Sequence, residues 1–159
     1  NRISVQIHKG DDDMLNNPFV GTWKLLSMEA RRSDGQVVYP FGEYAAGIFV
    51  YDAPGNMAVQ IMRRGRPPFA SGDMQKGTPE ELKAAAEGYL ATFGTYTVDE
   101  AQSRVLLHVQ GSLFPNWIGT DQIRHYRFEG DRLTLETPSM QVAGMSITVA
   151  LVWERLSGE

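Results

Sequence analysis

Four side chains of this sequence could handle a carbonyl or an acid: Tyr96, His108, Arg124 and Tyr126. An imidazole such as His108 exchanges its proton near neutral pH, which suits general acid–base work. The Arg124 guanidinium can stabilise an enolate-like or carboxylate charge. The phenols can orient an oxygen. His108, Tyr96 and Arg124 are therefore the candidate catalytic set, for chemistry of the cyclisation or isomerisation kind. A rival reading makes His108 an exposed or structural histidine. Burying Arg124 without a partner anion would be costly. An inward Arg124 would itself point to an acidic ligand or an internal carboxylate.

A second group suits binding rather than reaction. Phe49, Tyr51, Met57, Tyr126 and Trp117 are candidate ligand contacts. Methionine is adaptable and polarisable and fits a cavity of irregular shape. Trp117 lies in the irregular Phe114-Pro115-Asn116-Trp117 segment and either stacks on a ligand or plugs one end of the fold. Arg63, Arg64 and Arg66 form a small basic stretch, read as a solvated loop or as a gate for an anionic ligand.

Other chemistries find no support. The chain has no cysteine, so thiolate metal sites, disulfides and a Cys nucleophile are excluded. Of its histidines, His8 lies near the start, and His125 alternates opposite to Arg124 and Tyr126. A metal site is not expected. No Gly-x-Ser-x-Gly, phosphate-binding loop or dinucleotide fingerprint is present, so no cofactor is implied.

Strands must position these residues. Gly47–Asp52 is a near-continuous apolar strand, and Pro54-Gly55-Asn56 turns the chain into Met57–Met62, where Met57, Val59 and Ile61 alternate with Ala58, Gln60 and Met62. Pro presets φ and Gly permits positive φ at such a turn. Phe19–Arg31, Gln36–Phe41, Phe93–Val98, Arg104–Gly111, Asp121–Phe128, Arg132–Thr137 and Ser146–Leu156 read as further strands. On Arg104–Gly111, His108 shares a face with Leu106 and Gln110, opposite Val105, Leu107 and Val109. On Asp121–Phe128, Arg124 and Tyr126 share a face with Gln122 and Phe128. If the polar members point inward, Tyr96, His108, Arg124 and Tyr126 meet. A shift of one residue sends them to solvent.

Short strands at this spacing predict an all-β fold, a single antiparallel up-and-down barrel of about eight to ten strands. One helix interrupts them near residues 79–91. Thr78-Pro79-Glu80-Glu81 is a capping box with Pro at the first helical position. Leu82, Ala85, Ala86, Tyr89, Leu90 and Phe93 then form an apolar helical stripe. The preceding residues 63–77 read as a long mobile loop that, with the helix, is placed to cover one barrel end.

Composition agrees with one globular domain. The 159 residues are 42% hydrophobic and 21% charged, with a net charge of −4. That balance argues against nucleic acid as a partner. No apolar run approaches the roughly 20 residues of a membrane span. Residues 1–16 read as an extension before a barrel domain at 17–157. Ile3, Val5 and Ile7 alternate as in a strand, and Asp11-Asp12-Asp13 precedes Met14. If Met14 is the native start the protein is expected in the cytoplasm. Otherwise it is periplasmic or secreted. Oligomeric state stays open, with a homodimer one option.

Gly21-Thr22-Trp23 opens the first strand and Trp153-Glu154-Arg155 closes the last. With Phe19–Leu26, Ile48–Met57, Gly111–Gly119 and Leu151–Arg155, the chain resembles the bacterial lipocalin-like domain family, a calycin-type barrel, over about Asn17 to Leu156. The resemblance implies that Gly21, Trp23 and Arg155 close one end of the barrel, with Arg155 lying over Trp23. It also implies a small-molecule ligand in the interior, apolar or weakly acidic. A cyclase or isomerase using the same cavity, and an interaction module with a filled core, are the alternatives.

Overall fold

Alternation decides the architecture. In the computed structural model, which describes residues 16–157, Met57, Val59 and Ile61 are buried while Asn56, Ala58 and Gln60 face out. Val105, Leu107 and Val109 are buried in the same way. A strand with one apolar face needs a second apolar surface, and a sheet closed on itself supplies it. The Ile3, Val5 and Ile7 alternation lies outside the described residues.

The elements are β1 (Gly21–Arg32), β2 (Val37–Val38), β3 (Ala46–Tyr51), β4 (Asn56–Met62), α1 (Pro79–Glu87), β5 (Tyr89–Asp99), β6 (Arg104–Ser112), β7 (Asp121–Glu129), β8 (Arg132–Glu136), β9 (Met140–Val142) and β10 (Met145–Arg155). The sheet runs β2-β1-β3-β4-β5-β6-β7-β8-β10-β9, and β1 also pairs with β10. Eight strands thus close an antiparallel barrel, and the short β2 and β9 flank it. The closing pair sets Trp23 opposite Arg155 and runs to Arg32 opposite Ile147. The β5–β6 ladder is interrupted by a bulge, where Phe93 and Gly94 face Gly111 and Val109, and Gln110 of β6 is the extra residue. A Cβ on Gly94 would lie 1.9 Å from the His108 carbonyl oxygen, so only glycine fits there.

One end is plugged by aromatic side chains. Trp23 and Phe19 are fully buried. The Trp23 indole N–H donates to the Phe19 carbonyl at 2.9 Å, and Phe128 packs edge-on against Phe19 at 4.9 Å. The Arg155 guanidinium carbon sits 4.3 Å from the Trp23 ring centre. That group donates to the carbonyls of Val20 at 2.7 Å and Pro18 at 2.5 Å. Gly21 passes beneath it, where a Cβ would stand 2.7 Å from Arg155 Nη1. A cation over an indole face contributes about 0.5–2 kcal/mol.

The helix is capped as its sequence dictates. Glu81 N–H donates to Thr78 Oγ1 at 3.2 Å, and Thr78 N–H donates to Glu81 Oε1 at 2.8 Å. It ends at Glu87, however, short of the expected stripe. Gly88 closes it, and Tyr89, Leu90 and Phe93 belong to β5, which pairs with β4 from Tyr89 opposite Met62. A continuous ladder along β4 outweighs the helical periodicity of three apolar residues. The helix buries none of its own residues. The basic stretch before it meets carbonyl oxygens rather than an anion. Arg63, Arg64 and Arg66 donate to Pro40, Tyr44 and Ala85 respectively, at 2.6, 2.8 and 3.1 Å.

Candidate functional site

Above the aromatic plug the barrel encloses a cavity of about 530 Å³. Its depth can be read along β7. Phe128 belongs to the plug, and Asp121 stands at the other end of the strand. Arg124 lies four residues above Phe128, about 13 Å along the strand. Phe49, Leu107, Arg124, Leu135 and Trp153 form the cavity floor. Val59, Ile61, Val109 and Leu151 continue the wall, and Met28, Pro40, Trp117, Asp121, Pro138 and Met140 frame the mouth. None of the lining residues comes from 63–88, so the loop and α1 stand beside the mouth rather than over it.

Arg124 is the one cationic side chain of the lining, and two buried polar groups, on Tyr51 behind Phe49 and on Trp153, lack partners among the described residues. Arg124 donates from Nη1 to the Ile123 carbonyl at 2.8 Å. Among the described residues, no carboxylate forms an ion pair with it. Burial pushes its pKa down, opposed by the nearby Tyr51 phenol. Tyr51 lies just beneath Phe49, with the two rings stacked at 4.1 Å. Among the described residues its buried hydroxyl has no hydrogen-bond partner, and neither has the buried Trp153 indole N–H. Burial holds the Tyr51 pKa well above the ordinary phenol value, the Arg124 charge draws it down, and Tyr96 raises it further. Tyr51 is thus a neutral donor at physiological pH. Arg66 Nε is also buried without a partner among the described residues, but it does not line the cavity, and the buried threonines are satisfied. Thr137 Oγ1 accepts from Val149 N–H at 3.0 Å, and the Thr92 and Ser112 hydroxyls are 3.2 Å apart.

His108 does not join them. It lies on the outer face of β6, where its ring contacts Thr97 Oγ1 at 3.0 Å and Asp121 Oδ1 at 2.7 Å. The reason is the choice between two faces of one strand. Burying Val105, Leu107 and Val109 leaves His108 and Gln110 solvated, whereas the opposite register would bury both polar groups. His108 therefore cannot act on a molecule that Arg124 touches inside the barrel.

Tyr96 points inward but serves the plugged end. Its hydroxyl donates to the Asp52 carbonyl at 2.8 Å and accepts from Asn17 Nδ2 at 3.0 Å. Burial raises its pKa, and the Asn17 bond opposes the shift. Tyr126 packs edge-on against Phe19 at 4.9 Å and against Phe128 at 5.6 Å, also within the plug. Met57 is buried across the β3–β4 ladder from Tyr51, below the cavity. Of the five expected ligand contacts, Phe49 and Trp117 line the cavity. Trp117 does so from the mouth, edge-on to Phe114 at 5.8 Å.

Trp153, Leu107, Leu135 and Thr137 were not among the expected contacts. Trp153 reads in sequence as part of the closing Trp-Glu-Arg element, and only the barrel's curvature shows its indole facing the cavity. Among the described residues, no group of three or more His, Asp or Glu is placed to hold a metal ion.

Comparison with known proteins gives two findings. The lipocalin-like domain family matches residues 20–156. A 4'-hydroxy-3'-methoxypropiophenone carrier protein of Aspergillus oryzae is 37% identical over 107 residues, which cover 63% of this chain and 96% of that protein. No solved structure gives a significant match.

Proposed function

We propose, from the premise that the chain belongs to the lipocalin-like domain family, that this small-molecule-binding barrel carries one compact, largely apolar or weakly acidic molecule within its interior. The observation that carries the reading is the blind cavity of about 530 Å³, apolar along its walls and open at one end. That volume falls in the range of roughly 300–1,000 Å³ typical of small-ligand sites. The Aspergillus oryzae relative is named for carrying an aromatic ketone. A cargo of that size and aromatic character suits a floor built from Phe49 and Trp153.

Carriage is favoured over turnover by the placement of His108 outside the barrel. An interaction module with a filled core is disfavoured by the cavity itself. The test is a fluorescence titration, because Trp153 and Trp117 both line the cavity. Propiophenone, a neutral aryl ketone, should quench saturably with one site per chain. Val109→Trp, which fills the wall, should abolish that binding. Undiminished binding in this variant would move the site elsewhere on the molecule.

A further inference from the structure

The cavity is largely apolar, with Thr92, Gln122 and Thr137 in its lining and Asp121 at its mouth, and Arg124 is its one cationic residue. A guanidinium has five N–H donors. Among the described residues, the hydrogen bond of the Arg124 side chain goes to its own neighbour, the Ile123 carbonyl. Tyr51 adds a buried hydroxyl with no acceptor, close enough to Arg124 for the two to interact electrostatically. Trp153 adds a buried indole N–H with no acceptor. All three are donors, and the Tyr51 and Trp153 groups are costly while buried and unmatched. What would match them is an acceptor bearing negative charge, and no carboxylate of the described residues supplies one.

We propose that Arg124, with Tyr51 near it and Trp153 in the same cavity lining, forms an anion subsite at the cavity floor that takes the carboxylate or ionised phenol of an aromatic ligand. The proposal rests on the reading that the barrel holds a small molecule, and it names which class and which way round. The anionic oxygen lies against Arg124, the apolar body rises along Val59, Ile61 and Leu151, and the far end reaches Trp117 at the mouth. Arg124 provides the charge. Tyr51, packed behind Phe49 and outside the lining, supports Arg124 as a positioning residue, and Trp153 combines an N–H donor with an aromatic wall.

The decisive comparison pairs phenylbutyrate with phenylbutyramide, which match in shape and differ in charge, titrated at about pH 7.5, where a carboxylate is ionised. A charge-assisted hydrogen bond predicts that the acid binds roughly tenfold or more tightly than the amide. Arg124→Gln should erase that preference, so that acid and amide bind equally. Tyr51→Phe should narrow it, weakening the acid more than the amide. In a second arm, para-nitrophenol bound to the wild-type protein should ionise at lower pH than in free solution, read from its visible spectrum. This arm decides the question even if Arg124→Gln fails to fold, and it separates phenolate from carboxylate recognition. Equal affinity for acid and amide, with no spectral shift, would overturn the anion subsite and leave the barrel's carrier role standing. A preference that survives in Arg124→Gln would overturn the assignment to Arg124. If neither the phenylbutyrate pair nor propiophenone binds, the carrier reading falls and the subsite with it.

Discussion

Arg155 ties the last strand to the start of the first: it covers the Trp23 indole and holds the Val20 and Pro18 carbonyls. Trp23→Ala is therefore expected to cost about 3–5 kcal/mol, the range for deleting a large buried aromatic side chain. Arg155→Ala should cost less. In a double-mutant cycle the two effects should couple, because the side chains touch. Urea denaturation of the four proteins checks both expectations, and a loss below about 1 kcal/mol for Trp23→Ala would contradict the plug. Tyr51 sets a different limit, on the alkaline side. Burial raises its folded pKa, so the native state holds the phenolic proton more tightly than the unfolded chain does. Its contribution is intact below the unfolded value of about 10 and is lost as pH rises through the folded value. Tyr96 and Tyr126 shift in the same direction. Denaturation midpoints should stay level up to about pH 9 and fall beyond about pH 10, less steeply in Tyr51→Phe. An identical fall in that variant would assign the titration to other groups.

At the scale of elements, α1 and the loop before it are accessories to the barrel. Thr78→Ala removes one half of the capping box and should cost about 1 kcal/mol locally. Amide exchange over residues 79–87 should quicken while ligand affinity holds, since no lining residue comes from this segment. The β5–β6 bulge is less forgiving. Gly94→Ala drives a methyl group into the His108 carbonyl and should destabilise by roughly 1–3 kcal/mol, measurable as a lowered Tm. These elements also show what a sequence can and cannot disclose. The β3–β4 hairpin, the capping box and the Trp23/Arg155 closure are visible because each has local chemistry: a Pro-Gly turn, a Thr-x-x-Glu spacing, a Gly-x-Trp. The end of α1 is hidden, because Tyr89, Leu90 and Phe93 continue the helical spacing, although in β5 Leu90 faces opposite to Tyr89 and Phe93. The inward face of β6 is a choice between two parities. Three aliphatic residues at 105, 107 and 109 against a face with His108 and Gln110 is the signal that decides it. The Arg124–Tyr51–Trp153 cluster draws on three strands separated by up to about a hundred residues of chain, and only the barrel's closure brings them together.

For the whole molecule, a ligand that binds only the folded barrel adds its binding free energy to stability. At a hundredfold excess over Kd this amounts to about 2.7 kcal/mol. In a domain of this length it corresponds to roughly 5–10 °C in Tm. Calorimetric scans with rising concentrations of phenylbutyrate should show that climb, and a flat Tm at saturating ligand would contradict binding to the native state. The aromatic plug has one more consequence, a kinetic one. A vessel sealed at its base has a single doorway, so arrivals and departures share one path. A newcomer cannot push the occupant out from behind and must wait for it to leave. The dissociation rate measured in a chase experiment should therefore be independent of the concentration of the chasing ligand. Whatever receives the cargo must draw it out by the end that entered last.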